Sequence, residues 1–137
     1  MKHSVTTTWK GQMNFVSKSE DGDIELDAAE NAGGQGKGLR AKPLMLSSLT
    51  GCTGMDVASL LKKMRATPQH FEVIVDATLT DEHPKYYDTT HITYIFGGKD
   101  LNREKIAKAV DLSFNTYCGV IEMFRSFSKV TYAIVYR

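Results

Sequence analysis

Only two of the 137 residues are cysteine, Cys52 and Cys118, too few for a disulfide framework or a cysteine-only zinc site. The histidines His3, His70, His83 and His91 have no metal-ligand spacing, so no zinc site is expected. An excess of one charge is also missing. With 17 basic against 16 acidic residues the net charge is +1, so no field is aimed at nucleic acid or an anionic membrane. The N-terminal MKHSVTTTWK has no apolar signal region. A cytoplasmic location is therefore expected, where thiols stay reduced. No repeat, low-complexity run or linker interrupts the chain, and residues 1–137 read as a single domain, long enough to bury about two-thirds of the unfolded surface.

Period-two alternation marks the strands. Val5, Thr7, Trp9, Met13 and Phe15 alternate with polar partners as a long strand or bent hairpin arm, with a bulge at Gly11. Past the Asp-Gly turn of SKSEDGD, IELDA alternates again and closes a hairpin. The glycine-rich ENAGGQGKGLRAK reads as a flexible loop. It lacks both the leading strand of a dinucleotide fingerprint and the Ser or Thr of a phosphate loop. Phe71 to Leu79 and the YYDTTHITYIF segment form a second hairpin around a solvated DEHPK turn. Asn102 then caps a helix whose apolar positions are Ile106, Ala109, Val110, Ser113, Phe114 and Tyr117. Cys118 ends it, Gly119 breaks it, Val120 to Phe127 make a short helical segment, and KVTYAIVYR closes the chain as a strand. Strands, helix, strands, helix, strand gives an α+β fold with a mainly antiparallel sheet.

The stretch between Pro43 and Leu61 carries one charge, Asp56, and predicts a helix apolar on nearly all sides, with Pro43 in its first position and LysLysMetArg at its end. Its hydroxyl residues argue for a helix wrapped by protein rather than a membrane span. Gly51 and Gly54 flank Cys52. Each costs helix stability by about 1 kcal/mol against alanine, which predicts a second backbone packed closely at that turn. So apolar a helix is more than one small domain can cover, and a homodimer sharing it is the expected remedy.

Three features together, PLMLSSLTGCTGMDV on a buried helix, DEHPK between two strands and a late TyrCys after an amphipathic helix, resemble the OsmC/Ohr family. These are the osmotically inducible and organic hydroperoxide resistance proteins. The resemblance implies an OsmC-like fold, with antiparallel sheets wrapped around two central helices in an intertwined homodimer. It implies a thiol-dependent peroxidase acting on organic hydroperoxides, with Cys52 the peroxidatic thiol, Cys118 the resolving thiol, an external dithiol as reductant, and no metal, haem or flavin cofactor. Arg40 is the nearest candidate for the family's arginine. Where the family carries a glutamate, ten positions before the first cysteine, this chain has Lys42. That departure keeps a second reading open, in which an OsmC-like protein binds a small apolar or sulfur-containing ligand at the dimer interface.

The physical setting of Cys52 is demanding. Burial raises a thiol's pKa, and the start of the helix lies about 14 Å away along a straight axis, too far for its dipole to help. Asp56 is one turn on, and its negative charge opposes a thiolate. Without the family resemblance, the simplest reading of Cys52 is a small residue filling a tight helix crossing. His91 reads most simply as an ordinary strand histidine, and EKIAK as the exposed side of its helix.

Overall fold

The computed structural model describes all residues from Met1 to Arg137. The elements, in chain order, are β1 (Thr6–Gly11), β2 (Asn14–Ser19), β3 (Gly22–Leu26), α1 (Ala41–Lys63), β4 (His70–Leu79), β5 (Tyr87–Gly97), α2 (Arg103–Leu112), α3 (Gly119–Arg125) and β6 (Lys129–Tyr136). A single 3-10 turn covers Glu30–Ala32, and one π turn covers Ser113–Tyr117. The chain divides into two compact units, Met1–Ser47 and Ser48–Arg137, and α1 runs through the boundary between them. Mixed helix and sheet, the α+β class read from the sequence, is what the chain adopts.

In the first unit the expected long arm is two strands. The chain reverses at Gln12 and Met13, and β1-β2-β3 form an antiparallel meander in which Trp9 pairs with Phe15 and Phe15 with Leu26. The bulge at Gly11 is present: the register slips between Trp9 and Gly11, and Gly11 has a φ of 105°, which a side chain would resist. The glycine-rich segment is organised around Asp27. Its carboxylate accepts the backbone N–H groups of Ala28 (2.8 Å), Gln35 (3.2 Å) and Lys37 (3.1 Å). At Gly34 a Cβ would run into the Ala28 carbonyl, so the wrap needs glycine there. The sequence reading of a free loop missed this because three donors converging on one carboxylate leave no periodic trace.

The second unit holds the apolar core. Strands β4-β5-β6 form its sheet, with β4 antiparallel to β5 and β6 parallel to β5. A parallel neighbour requires a crossover, here made by α2, the π turn and α3. Buried side chains come from β5 (Ile92, Tyr94, Phe96), α2 (Ile106, Ala109, Val110) and α3 (Ile121, Phe124). Asn102 caps α2 as expected, its side chain accepting the Lys105 N–H at 3.1 Å.

Helix α1 starts two residues before Pro43, with the Arg40 carbonyl accepting the Leu44 N–H. Pro43 still lies in the first turn, where its missing N–H leaves no helical bond unmade. At the far end Arg65 takes a left-handed φ of 57° and the Ala66 N–H reaches back to the Leu61 carbonyl at 2.9 Å. By length and composition alone α1 is apolar enough to cross a membrane. Its buried positions, however, are Leu49, Thr53, Val57 and Leu61, a single i, i+4 stripe that faces protein. Met45 and Met55 remain exposed. The close backbone predicted at Gly51 and Gly54 is absent within the chain. A Cβ at Gly51 meets nothing within 4 Å, and one at Gly54 meets only Val73 Cγ2 at 3.7 Å, because both glycines lie off the buried stripe.

Candidate functional site

Every group at the site belongs to the Ser48–Arg137 unit. Cys52 and Asp56 stand one turn apart on α1, the i, i+4 spacing that places two side chains on one face. Cys118 lies between the π turn and α3. The Sγ atoms of Cys52 and Cys118 and a carboxylate oxygen of Asp56 all lie within 4.8 Å of one another. Both cysteines are free thiols, Cys52 half-buried and Cys118 buried.

The π turn brings Cys118 to this point. The Cys118 N–H bonds to the Ser113 carbonyl five residues back at 2.9 Å, so an extra residue is accommodated before the chain turns into α3. Cys118 then acts as the first cap of α3, its Sγ accepting the Ile121 N–H at 3.4 Å. Burial pushes the Cys118 thiol up to about 12; the Ile121 N–H opposes that rise and the neighbouring Cys52 thiol adds to it. Cys118 therefore carries its proton at neutral pH.

Beneath the thiols runs a line of buried hydroxyls. Thr53 Oγ1 lies 2.7 Å from both Tyr94 OH and Ser113 Oγ, and Ser113 Oγ lies 3.2 Å from Asp56 Oδ2. An ionised Asp56 can only accept, so Ser113 donates to it, Thr53 donates to Ser113, and Tyr94 donates to Thr53. Each hydroxyl then has a proton to give and an acceptor to receive it, and the Ser113 proton has a second acceptor in the Thr53 carbonyl at 3.4 Å. Burial pushes the Tyr94 phenol up to about 12, which keeps it a donor at the head of this line. Sequence reasoning placed Ser113 on a helix face and Tyr94 in a strand, but it did not find this line. A Ser and a Thr at apolar positions of two helices, facing a strand Tyr, are the signal it left unused.

An open groove of about 350 Å³ reaches Cys118 and is lined also by Phe114, Tyr117, Glu122 and Arg125. The Arg125 guanidinium lies over the Phe114 ring, 4.7 Å from its centroid, and pairs with Glu122 at 3.3 Å. Arg40, the third residue read as catalytic, belongs to the first unit, where it is exposed just ahead of α1. His91 is not at the thiols: its Nδ1 lies 2.7 Å from Thr131 Oγ1 on the neighbouring strand.

A match to the family described as OsmC-like protein covers residues 34–133. Protein YhfA of Escherichia coli strain K12 is 29% identical over 126 residues, 91% of each chain. A hypothetical protein from Aquifex aeolicus, known from its crystal structure, is 27% identical with a TM-score of 0.82, covering 100% of this chain and 98% of that one. The organic hydroperoxide resistance protein OhrB of Bacillus subtilis shares the fold at 20% identity, with a TM-score of 0.65 over 98% of both chains. The cysteine pair lies inside the matched span, the fold is shared end to end, and the chain belongs to the OsmC-like protein family.

Proposed function

We propose that the protein is a thiol-dependent peroxidase that reduces organic hydroperoxides, working as a cytoplasmic homodimer with residues 1–137 as one OsmC-like domain. The observation that carries this reading is the approach of two sulfurs, 66 residues apart in sequence (118 − 52), to within 4.8 Å. A disulfide needs an S–S distance of about 2.05 Å, and side-chain rotation about χ1 covers a gap of this size. Cys52 is the more accessible thiol and Cys118 the buried one held protonated, which supports Cys52 as nucleophile and Cys118 as resolver.

In the cycle, the Cys52 thiolate attacks the outer oxygen of ROOH. The O–O bond breaks, an S–O bond forms, and the alkoxide leaves and takes a proton to become ROH. Cys52 is left as a sulfenic acid. The Cys118 sulfur then attacks the Cys52 sulfur, the S–O bond breaks, and the hydroxide leaves as water with the Cys118 proton. An external dithiol returns two electrons and two protons to restore both thiols. Arg40 is the nearest candidate the family resemblance offers for the cation of the thiolate. The line from Tyr94 to Asp56 fixes the polar wall of the site and holds the Asp56 carboxylate in one orientation.

The dimer is supported by the open side of α1. A Cβ at Gly51 would meet nothing within 4 Å, and Met55 is 75% exposed on a helix with only one charge between Pro43 and Leu61. Such a surface is the kind that a second copy covers. The test is consumption of cumene hydroperoxide by purified protein supplied with dithiothreitol, beside Cys52→Ser and Cys118→Ser. Turnover in the wild type that is lost in both variants is the expected result. An inactive wild type with reduced, accessible thiols would count against the peroxidase.

A further inference from the structure

We propose that Cys52, Asp56 and Cys118 form a binding site for a thiophilic divalent cation of the zinc class, with the fourth coordination position open. Three donors that a borderline cation favours converge here: two sulfurs and a carboxylate oxygen, each within 4.8 Å of the others. Tetrahedral zinc, with bonds of about 2.3 Å to sulfur and about 2.1 Å to oxygen, sets its donors about 3.6 Å apart. Closing onto a cation therefore asks for shifts on the order of 1 Å between donors, within the reach of side-chain rotation.

Two of the donors come from one helix at i, i+4, the spacing by which a helix presents a ligand pair to one metal ion. The third comes from a separate element, at the start of α3. The carboxylate is already oriented from behind. Ser113 Oγ donates to Asp56 Oδ2 at 3.2 Å, and Thr53 and Tyr94 back Ser113 in turn. Ligating carboxylates are held by such outer hydrogen bonds, and one donated bond leaves most of the carboxylate's lone pairs for a cation. Asp56 has no protein cation to pair with: the three ion pairs of the structure join His70 and Arg137 to Glu72, and Arg125 to Glu122. A divalent ion supplies the missing positive charge among three groups that otherwise repel on ionising. The groove opens at Cys118, one of the three donors, and Cys52 is itself only half-buried. Histidine spacing and cysteine number do not register this donor set, a Cys-x-x-x-Asp pair on a helix joined by a distant cysteine.

Binding takes both sulfurs as thiolates and releases to the buffer the protons they carry. The disulfide and the metal complex are then exclusive states of the same sulfurs, and a bound ion holds the pair reduced. The inference needs only reduced thiols and does not rest on the peroxidase reading.

The experiment is anaerobic titration of the reduced, metal-free protein with Co²⁺, followed by absorbance. A sulfur-to-cobalt charge-transfer band with the visible bands of tetrahedral Co²⁺ is expected, saturating at one ion per chain and discharged by Zn²⁺. Cys52→Ser and Cys118→Ser should abolish the band. Asp56→Asn, close in shape, should weaken binding at least tenfold. Ser113→Ala should weaken it by about 10-fold to 100-fold through the freed carboxylate. No thiolate band in a folded wild type whose thiols still titrate as free would overturn the site. Unchanged affinity in Asp56→Asn would do the same for the three-ligand arrangement. Hydroperoxide turnover measured on the same metal-free preparation separates the two readings, because turnover without cobalt binding removes only the metal site, and cobalt binding without turnover removes only the peroxidase.

Discussion

Two cysteines in one site differ sharply in setting. Cys52 is half-buried on the face of a long helix, whereas Cys118 is buried, caps α3 and has its pKa pushed up to about 12, chiefly by burial. Thiolate fraction and access both control alkylation, so iodoacetamide at neutral pH should label Cys52 well before Cys118, as peptide mapping would report. Labelling in the opposite order would reverse the assigned roles. Asp27 makes a second residue-scale prediction. The Lys37 N–H foremost, with those of Ala28 and Gln35, holds its carboxyl below the ordinary range against the opposing effect of burial. A depressed folded pKa means stability that is present above the unfolded value of about 3.9 and is lost as pH falls below it. Acid unfolding should therefore flatten in Asp27→Asn relative to wild type between neutral pH and pH values below that point. An identical acid limb in the two proteins would mean that the turn at Asp27 contributes nothing to that slope.

At the scale of elements, Ser113 joins three of them. It stands at the start of the π turn, bonds to Thr53 and Asp56 of α1, and through Thr53 reaches Tyr94 of β5. Ser113→Ala removes a buried hydroxyl and leaves its partners short of a donor and an acceptor, a loss of about 1–3 kcal/mol that urea denaturation would measure. A change below a few tenths of that range would show that water replaces the hydroxyl. The elements themselves were largely legible in the sequence. Period two located the strands from His70 to Gly97, and Asn102 announced α2, because each of these signals is local. The apolar run forecast α1, but it could not show that only Leu49, Thr53, Val57 and Leu61 are fully buried. The π turn, the parallel pairing of β6 and the hydroxyl line were not legible, since each is fixed by residues tens of positions apart meeting in the core. The cysteine pair became visible only through family resemblance. Spacing alone does not say that residues 52 and 118 meet.

For the whole molecule, the question is what covers the rest of α1. Within the chain, Gly51 has open space beside it, so Gly51→Ala should stabilise the helix by about 1 kcal/mol if that face meets only solvent. If a second copy packs its helix there, the added methyl collides with the partner, and the substitution should weaken association and lower the thermal midpoint. The account predicts the second result, with the wild type sedimenting as a dimer and Gly51→Ala shifting toward monomer at low concentration. A monomeric wild type stabilised by the substitution would contradict the dimer.

The central claim is that Cys52 and Cys118 act as one redox pair, and treatment of the reduced, metal-free protein with one equivalent of cumene hydroperoxide tests it most directly. Intact-mass and peptide analysis should find a Cys52–Cys118 disulfide within the chain, with the mass lower by two hydrogens, and Cys118→Ser should instead yield a Cys52 sulfenic acid trapped by dimedone. Thiols that stay free under that treatment, or a sulfenic acid that persists on Cys52 in the wild type while Cys118 remains reduced, would contradict the account.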